Sequence, residues 1–180
     1  MCAGLIYSLN GFQWPNSRVF LDQIEPQTRH VMTTFDLQGS LIRRVFGTVW
    51  TILETRADDL SSLLQDHWKI TSKLNDVPAK PRWMINATCY ETGKNWRFER
   101  FRMGDYLFGY TNDTDLPISD ALVASAGFPG LIGALELKTG GCHWFKYKDR
   151  MDPSQRLVEM DEEDRWEKIP IQPRYAKVHL

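Results

Sequence analysis

Two runs of strand-forming residues set around a glycine turn constrain this chain more than any other feature. Trp83-Met84-Ile85-Asn86-Ala87-Thr88-Cys89-Tyr90 is rich in strand formers. Glu91-Thr92-Gly93-Lys94-Asn95 carries turn chemistry, and Trp96-Arg97-Phe98-Glu99-Arg100-Phe101 alternates with period two. Together they predict a β-hairpin. On its second strand Trp96, Phe98 and Arg100 share one side and Arg97, Glu99 and Phe101 the other. That mixture fits a partly exposed place in a sheet.

Upstream the period changes. Leu41, Ile42, Val45, Phe46, Val49, Ile52 and Leu53 recur at three and four residues, which predicts a helix with one buried stripe. A second helix is expected from Asp58 to His67, with Leu60, Leu63 and Leu64 inward and an aspartate near its N-terminal dipole. Pro78 and Pro81 end any continuation. Residues 10–40 mix Gly11, Pro15, Pro26 and Gly39 with isolated aromatics and read as loop with room for one short helix. The chain therefore divides into a helical and loop part (1–80), a strand-rich part (81–150), an acidic, proline-containing connection (151–173) and a terminal strand (174–180).

Within the strand-rich part, Ala134–Lys138, Thr139-Gly140-Gly141 and Cys142–Tyr147 repeat the order strand, glycine turn, strand, and predict a second hairpin. Between the two, Ser119 or Asp120 caps a short helix reaching Ala126, and Gly127, Pro129 and Gly130 stop it. The run Glu159-Met160-Asp161-Glu162-Glu163-Asp164 reads as solvated.

Composition narrows the function classes. With 42% hydrophobic and 12% aromatic residues over 180 positions, the chain can bury a core as one domain. A net charge of -1 supplies no basic face, so no nucleic-acid partner is expected. Cys2, Cys89 and Cys142 are too few and too scattered for a disulfide framework. Asn86-Ala87-Thr88 and Asn112-Asp113-Thr114 fit the glycosylation triplet, which needs a secretory route to matter. The weakly polar run Ala121–Leu135 is broken by Ser125, Gly127, Pro129, Gly130 and Gly133 and falls short of the roughly 20 residues of a membrane helix. No transmembrane segment is expected. The N-terminal residues lack the basic start of a signal peptide and are apolar at once, so the sequence reads as cut from a larger protein.

Catalytic residue types are present without catalytic spacing. No serine lies in Gly-x-Ser-x-Gly; Ser40 reads as a helix cap and Ser125 as part of a helix. Asp58 with Asp59, Asp113 with Asp115, and the acidic run lack the apolar setting that would raise a carboxyl pKa. His30, His67, His143 and His179 share no helix face, and Cys142 beside His143 would point to opposite sides of a strand. Gly127, Gly130 and Gly133 have neither the phosphate-loop spacing nor the lysine and hydroxyl that follow it. No metal, cofactor or catalytic residue is assigned.

One series does carry a resemblance. Ile85-Asn86-Ala87-Thr88, Thr92-Gly93-Lys94, Trp96-Arg97-Phe98, Met103-Gly104-Asp105-Tyr106, Gly109-Tyr110, Asp115-Leu116-Pro117-Ile118 and Ala124-Ser125-Ala126-Gly127-Phe128-Pro129 resemble, in order and spacing, the patatin-like phospholipases over residues 83–133. The resemblance implies an α/β fold, part of a three-layer domain. It implies lipid acyl esters or a membrane surface as partners, and a cytoplasmic or peripheral-membrane setting. It also implies a serine in Gly-x-Ser-x-Gly and an aspartate in Asp-Gly-Gly or Asp-Gly-Ala, and this sequence contains neither motif. The serine motif would precede Met1. For the aspartate, Thr139-Gly140-Gly141 has threonine where the carboxylate belongs, and the favoured position is just beyond Leu180, after the strand Tyr175–Leu180. The expectation is an inner segment of a lipid hydrolase that is itself inactive, against a stand-alone, non-catalytic lipid-binding or interaction module.

Overall fold

The computed structural model describes residues 1–34, 39, 56–126, 134–149 and 166–180. The helix expected over 41–53, Ser40, the acidic run and the glycines from Gly127 to Gly133 lie outside the described residues. The fold is mixed α and β, with helices mostly before the strands.

Its centre is a sheet of six strands side by side in the order β1 (Ile85–Cys89), β2 (Lys94–Glu99), β3 (Arg102–Asp105), β4 (Gly109–Thr111), β6 (Trp144–Asp149) and β7 (Trp166–Ile171), antiparallel at every pairing, with β5 (Glu136–Lys138) outside it. Strands β1 (Ile85–Cys89) and β2 (Lys94–Glu99) form the expected hairpin, with Ile85 opposite Phe98 and Cys89 opposite Lys94. Alternation decides which side is covered: Ile85, Ala87 and Cys89 are buried while Asn86 and Thr88 face outward. β3 (Arg102–Asp105) and β4 (Gly109–Thr111) continue the meander. Beneath it Trp96, fully buried, meets Phe108 at 5.6 Å and Trp144 at 5.9 Å between ring centroids.

The covering helices follow their apolar spacing. α1 (Cys2–Leu9) was not marked by any period in the sequence; it buries Gly4, Leu5 and Tyr7. α4 (Arg56–Trp68) extends the expected helix by a few residues at its start and turns Ala57, Leu60, Leu64 and Trp68 inward. α5 (Ile118–Ala126) is the expected short helix, but Ser119 and Asp120 lie inside its first turn rather than capping it and turn their side chains to Ser61 on α4; Ile118, Ala121, Leu122, Val123 and Ala124 are all buried because α4, α1 and β1 pack around it. No helix among the described residues is long and apolar enough to cross a membrane.

Three expectations are corrected. Much of the segment read as loop over 10–40 is helical: α2 (Ser17–Val19), a π-type turn (Phe20–Ile24) and α3 (Glu25–Thr34) run on continuously. Asn16 starts them by accepting the Val19 amide at 2.9 Å, and the wide turn comes just before Pro26, which has no amide to give. The second hairpin does not form. β5 (Glu136–Lys138) pairs with β8 (Lys177–His179), whereas β6 (Trp144–Asp149) pairs with β4 and β7. Thr139 diverts the chain: its amide bonds Ala176 O at 3.1 Å and its hydroxyl Tyr175 O at 2.6 Å. Finally, the connection drawn over 151–173 contains a strand, β7 (Trp166–Ile171), paired with β6 along its length. Pro170 is tolerated there because β7 is the last strand of its sheet. The terminal strand expected at 174–180 is present as β8.

Candidate functional site

Segments far apart in sequence meet at one pocket of about 300 Å³. Asn86, Ala87, Thr88 and Tyr90 form one wall, with Asn95 beside them on β2. Ala124 and Ser125 close it from α5, and Leu180 from beyond β8. Among the described strands β1 is paired on one side only.

Backbone bonds set these walls. The start of α5 is fixed where the Ile118 amide bonds Ser72 O at 3.0 Å and the Leu74 amide bonds Leu116 O at 2.8 Å. Leu180 and Leu135 exchange amide-to-carbonyl bonds of 2.9 and 2.7 Å. The Tyr90 amide reaches His179 O at 2.9 Å, tying β8 to the end of β1. The same junction is held by a carboxylate: Glu91 accepts the His179 amide at 3.0 and 3.1 Å and faces its ring Nδ1 at 2.6 Å. Burial alone would push the Glu91 carboxyl up, but these bonds, with that from the Cys89 thiol, outweigh it and hold it below the usual range.

The pocket offers amides and hydroxyls. The Asn95 amide donates to Asn86 Oδ1 at 3.3 Å, which orients both side chains. Ser125 is exposed in the last turn of α5, and no side chain of the pocket's described lining is a carboxylate, imidazole or amine that could take its proton. A serine nucleophile needs such a neighbour.

The other candidates fall in separate places. Asp115 is exposed and pairs with Lys73 Nζ at 2.7 Å; that bond holds its carboxyl below the usual range. Asp113 accepts from the Cys142 thiol at 3.3 Å, and burial together with this carboxylate pushes the thiol up to about 11, far from a reactive thiolate. His143 is exposed beside it. Asp58 and Asp59 sit in the first turn of α4 and His67 in its last. His30 faces the Thr34 hydroxyl at 3.3 Å. Thr139 is buried and spends its hydroxyl on the backbone, so it serves the crossing between sheets. Among the described residues no group of three or more His, Cys, Asp or Glu could hold a metal ion.

Sequence reasoning missed one buried polar cluster. Ser61 on α4 donates to Asp120 and has its hydroxyl 2.9 Å from Ser119 Oγ, and Gln65 donates to Ser119 Oγ at 2.9 Å. Burial raises the Asp120 carboxyl, more than the Ser61 bond lowers it. A serine beside a carboxylate invites a catalytic reading, but Ser61 is 3% exposed on a helix interior and the cluster joins α4 to α5. The only sequence signal was small polar residues recurring inside two otherwise apolar helix faces.

Comparison with protein-family models, with curated proteins and with solved structures returned no match.

Proposed function

We propose that this chain is an inner segment of a patatin-like lipid acyl hydrolase, and that it builds walls of the substrate site without holding the nucleophile or the base. In such an enzyme a serine hydroxyl attacks the ester carbonyl while an aspartate takes its proton. The alcohol leaves with that proton, and water then releases the acyl group. The observation that carries the reading is the shared pocket. Asn86-Ala87-Thr88 and Ala124-Ser125, two of the segments on which the resemblance rests, line it together with Leu180. Leu180 follows the strand that, by the resemblance, leads to the aspartate motif. Among the described strands β1 is unpaired on its outer side, where a further strand leading to a nucleophile turn would pair.

Two measurements test this. The purified 180-residue chain should show no turnover of a p-nitrophenyl ester above the uncatalysed rate; turnover that a serine-directed inhibitor abolishes would overturn the inactivity of the segment. Reading the coding sequence on either side should give Gly-x-Ser-x-Gly upstream and Asp-Gly immediately downstream. In-frame stop codons on both sides would instead favour a stand-alone, non-catalytic module that contacts lipid or another protein.

A further inference from the structure

At one end of the central sheet two turns stand side by side, residues 90–93 between β1 and β2 and residues 106–108 between β3 and β4. The Thr92 hydroxyl donates to Asp105 Oδ2 at 2.6 Å and joins them. Asp105, 1% exposed, also accepts the Leu107 and Phe108 amides at 2.7 and 2.6 Å, which fixes the second turn from inside. The outer side chains are apolar. Tyr106 is 59% exposed and Leu107 46%, with Tyr90 of the first turn at 46%. Tyr175, also exposed, stacks on Phe108 at 6.4 Å between ring centroids and extends the patch. Large apolar side chains gathered on one surface mark a place that meets something other than water.

The charges of this end are sorted by sign. The carboxylates of the two turns are directed inward and engaged, Asp105 by the turns themselves and Glu91 by His179. The amines lie outside. Lys94 Nζ stands 5.7 Å from the centroid of the Tyr106 ring, and Lys146 borders, with Tyr106, Tyr110, Tyr147 and Arg102, a second pocket of about 400 Å³. What faces solvent is tyrosine and leucine flanked by cations, a surface complementary to an anionic one. Tyrosine settles at the boundary of water and lipid, ring in apolar surroundings and hydroxyl in water, and lysine is drawn to anionic headgroups. Single-stranded nucleic acid fits less well. Leu107 offers it nothing, and Arg102 lies over the Tyr110 and Tyr147 rings, 5.4 and 5.7 Å from their centroids, where a base would stack.

We propose that the tip formed by Tyr106 and Leu107, flanked by Lys94 and Lys146, docks on a bilayer surface that contains anionic lipid. The tip enters the headgroup layer while the amines stay among the phosphates. The inference deepens the lipid-hydrolase reading and rests on it for one point, that the bilayer so held would supply the ester. Tyr90 connects the two places, since it belongs to the first turn and lines the first pocket. Docking itself stands on the side chains of the tip and needs no nucleophile.

The test uses the full chain at low ionic strength, where surface screening is weak. Co-sedimentation measures its binding to vesicles of phosphatidylcholine alone and of phosphatidylcholine mixed in equal parts with phosphatidylglycerol, and fluorescence anisotropy its binding to a labelled oligothymidine. The mixed vesicles should be bound more tightly than the neutral ones. Tyr106→Ser combined with Leu107→Ser should weaken that binding by about tenfold or more, the loss of buried apolar surface. Lys94→Gln should weaken it by about fivefold, the worth of one lysine near an anionic surface. Leu21→Ser and Arg18→Gln, exposed positions on the helical side, should change nothing. Circular dichroism identical to the parent shows that each variant is folded. No vesicle binding, equal binding to the two vesicles, a double variant that binds as the parent does, or tighter binding of the oligothymidine overturns the docking surface. The hydrolase reading fails separately: Gly-x-Ser-x-Gly and Asp-Gly in the flanking coding sequence without vesicle binding would remove the docking surface and leave that reading standing, and vesicle binding with in-frame stop codons on both sides would do the reverse.

Discussion

Gly104 shows how one missing side chain sets the course of the sheet. It sits in β3 at φ +137, and a Cβ there would lie 2.1 Å from Gly109 O on the neighbouring strand. Backbone atoms cannot step aside as a side-chain tip does. Gly104→Ala is therefore expected to cost about 3 kcal/mol, from the strained dihedral and the clash together. Gly93, at φ +64 with open space where its Cβ would be, should lose only about 1 kcal/mol on the same change. Urea denaturation of the two variants checks the contrast, and equal midpoints would refute it. Both glycines stood out in the sequence as turn or motif residues, but only the pairing of Gly104 with Tyr110 separates a crowded position from an open one.

Among the elements, β8 is the least self-sufficient. It spans Lys177–His179, among the described strands pairs with the equally short β5, and is further held through Glu91 and Tyr90. Since the folded-state pKa of Glu91 is depressed, its contribution is present above the usual glutamate value of about 4.3 and lost as pH falls through the lower folded value. Glu91→Gln should thus speed exchange of the His179 amide several-fold at pH 7, and the ratio of variant to parent should fall toward one as the pH drops well below the ordinary glutamate range. A ratio that stays the same across that range would count against the assignment. Elements that announce themselves by a local pattern were legible: the hairpin of β1 and β2, α4, and α5, though Ser119 and Asp120 join its first turn instead of capping it. β5 and β8 were read as strands but not as partners, and β7 was read as a connection. Pro170 and Pro173 disguised β7 as a connection, and the partner of β5 lies about forty residues away, Glu136 facing His179. Local pattern reports that a strand exists, not which strand it joins.

For the whole molecule, the same division between near and distant pairing separates what the sequence disclosed from what it withheld. Mixed α/β composition and the strand-rich centre could both be read from residue order. The wholly antiparallel sheet and the two pockets depend on contacts between segments that share no local signal. The pairing map also sets a timetable. β1 to β4 join through short turns between residues 85 and 111, so the entropy lost in closing each loop is small. The bond from Glu91 to His179 closes 88 residues, and contacts of that span form slowly. In pulse-labelled refolding the amides of β2 and β3 should be protected before that of His179, and simultaneous protection would contradict this order. A chain that stalls partway would therefore carry a finished meander and an unattached β8, and the first pocket would be the last part of the molecule to exist.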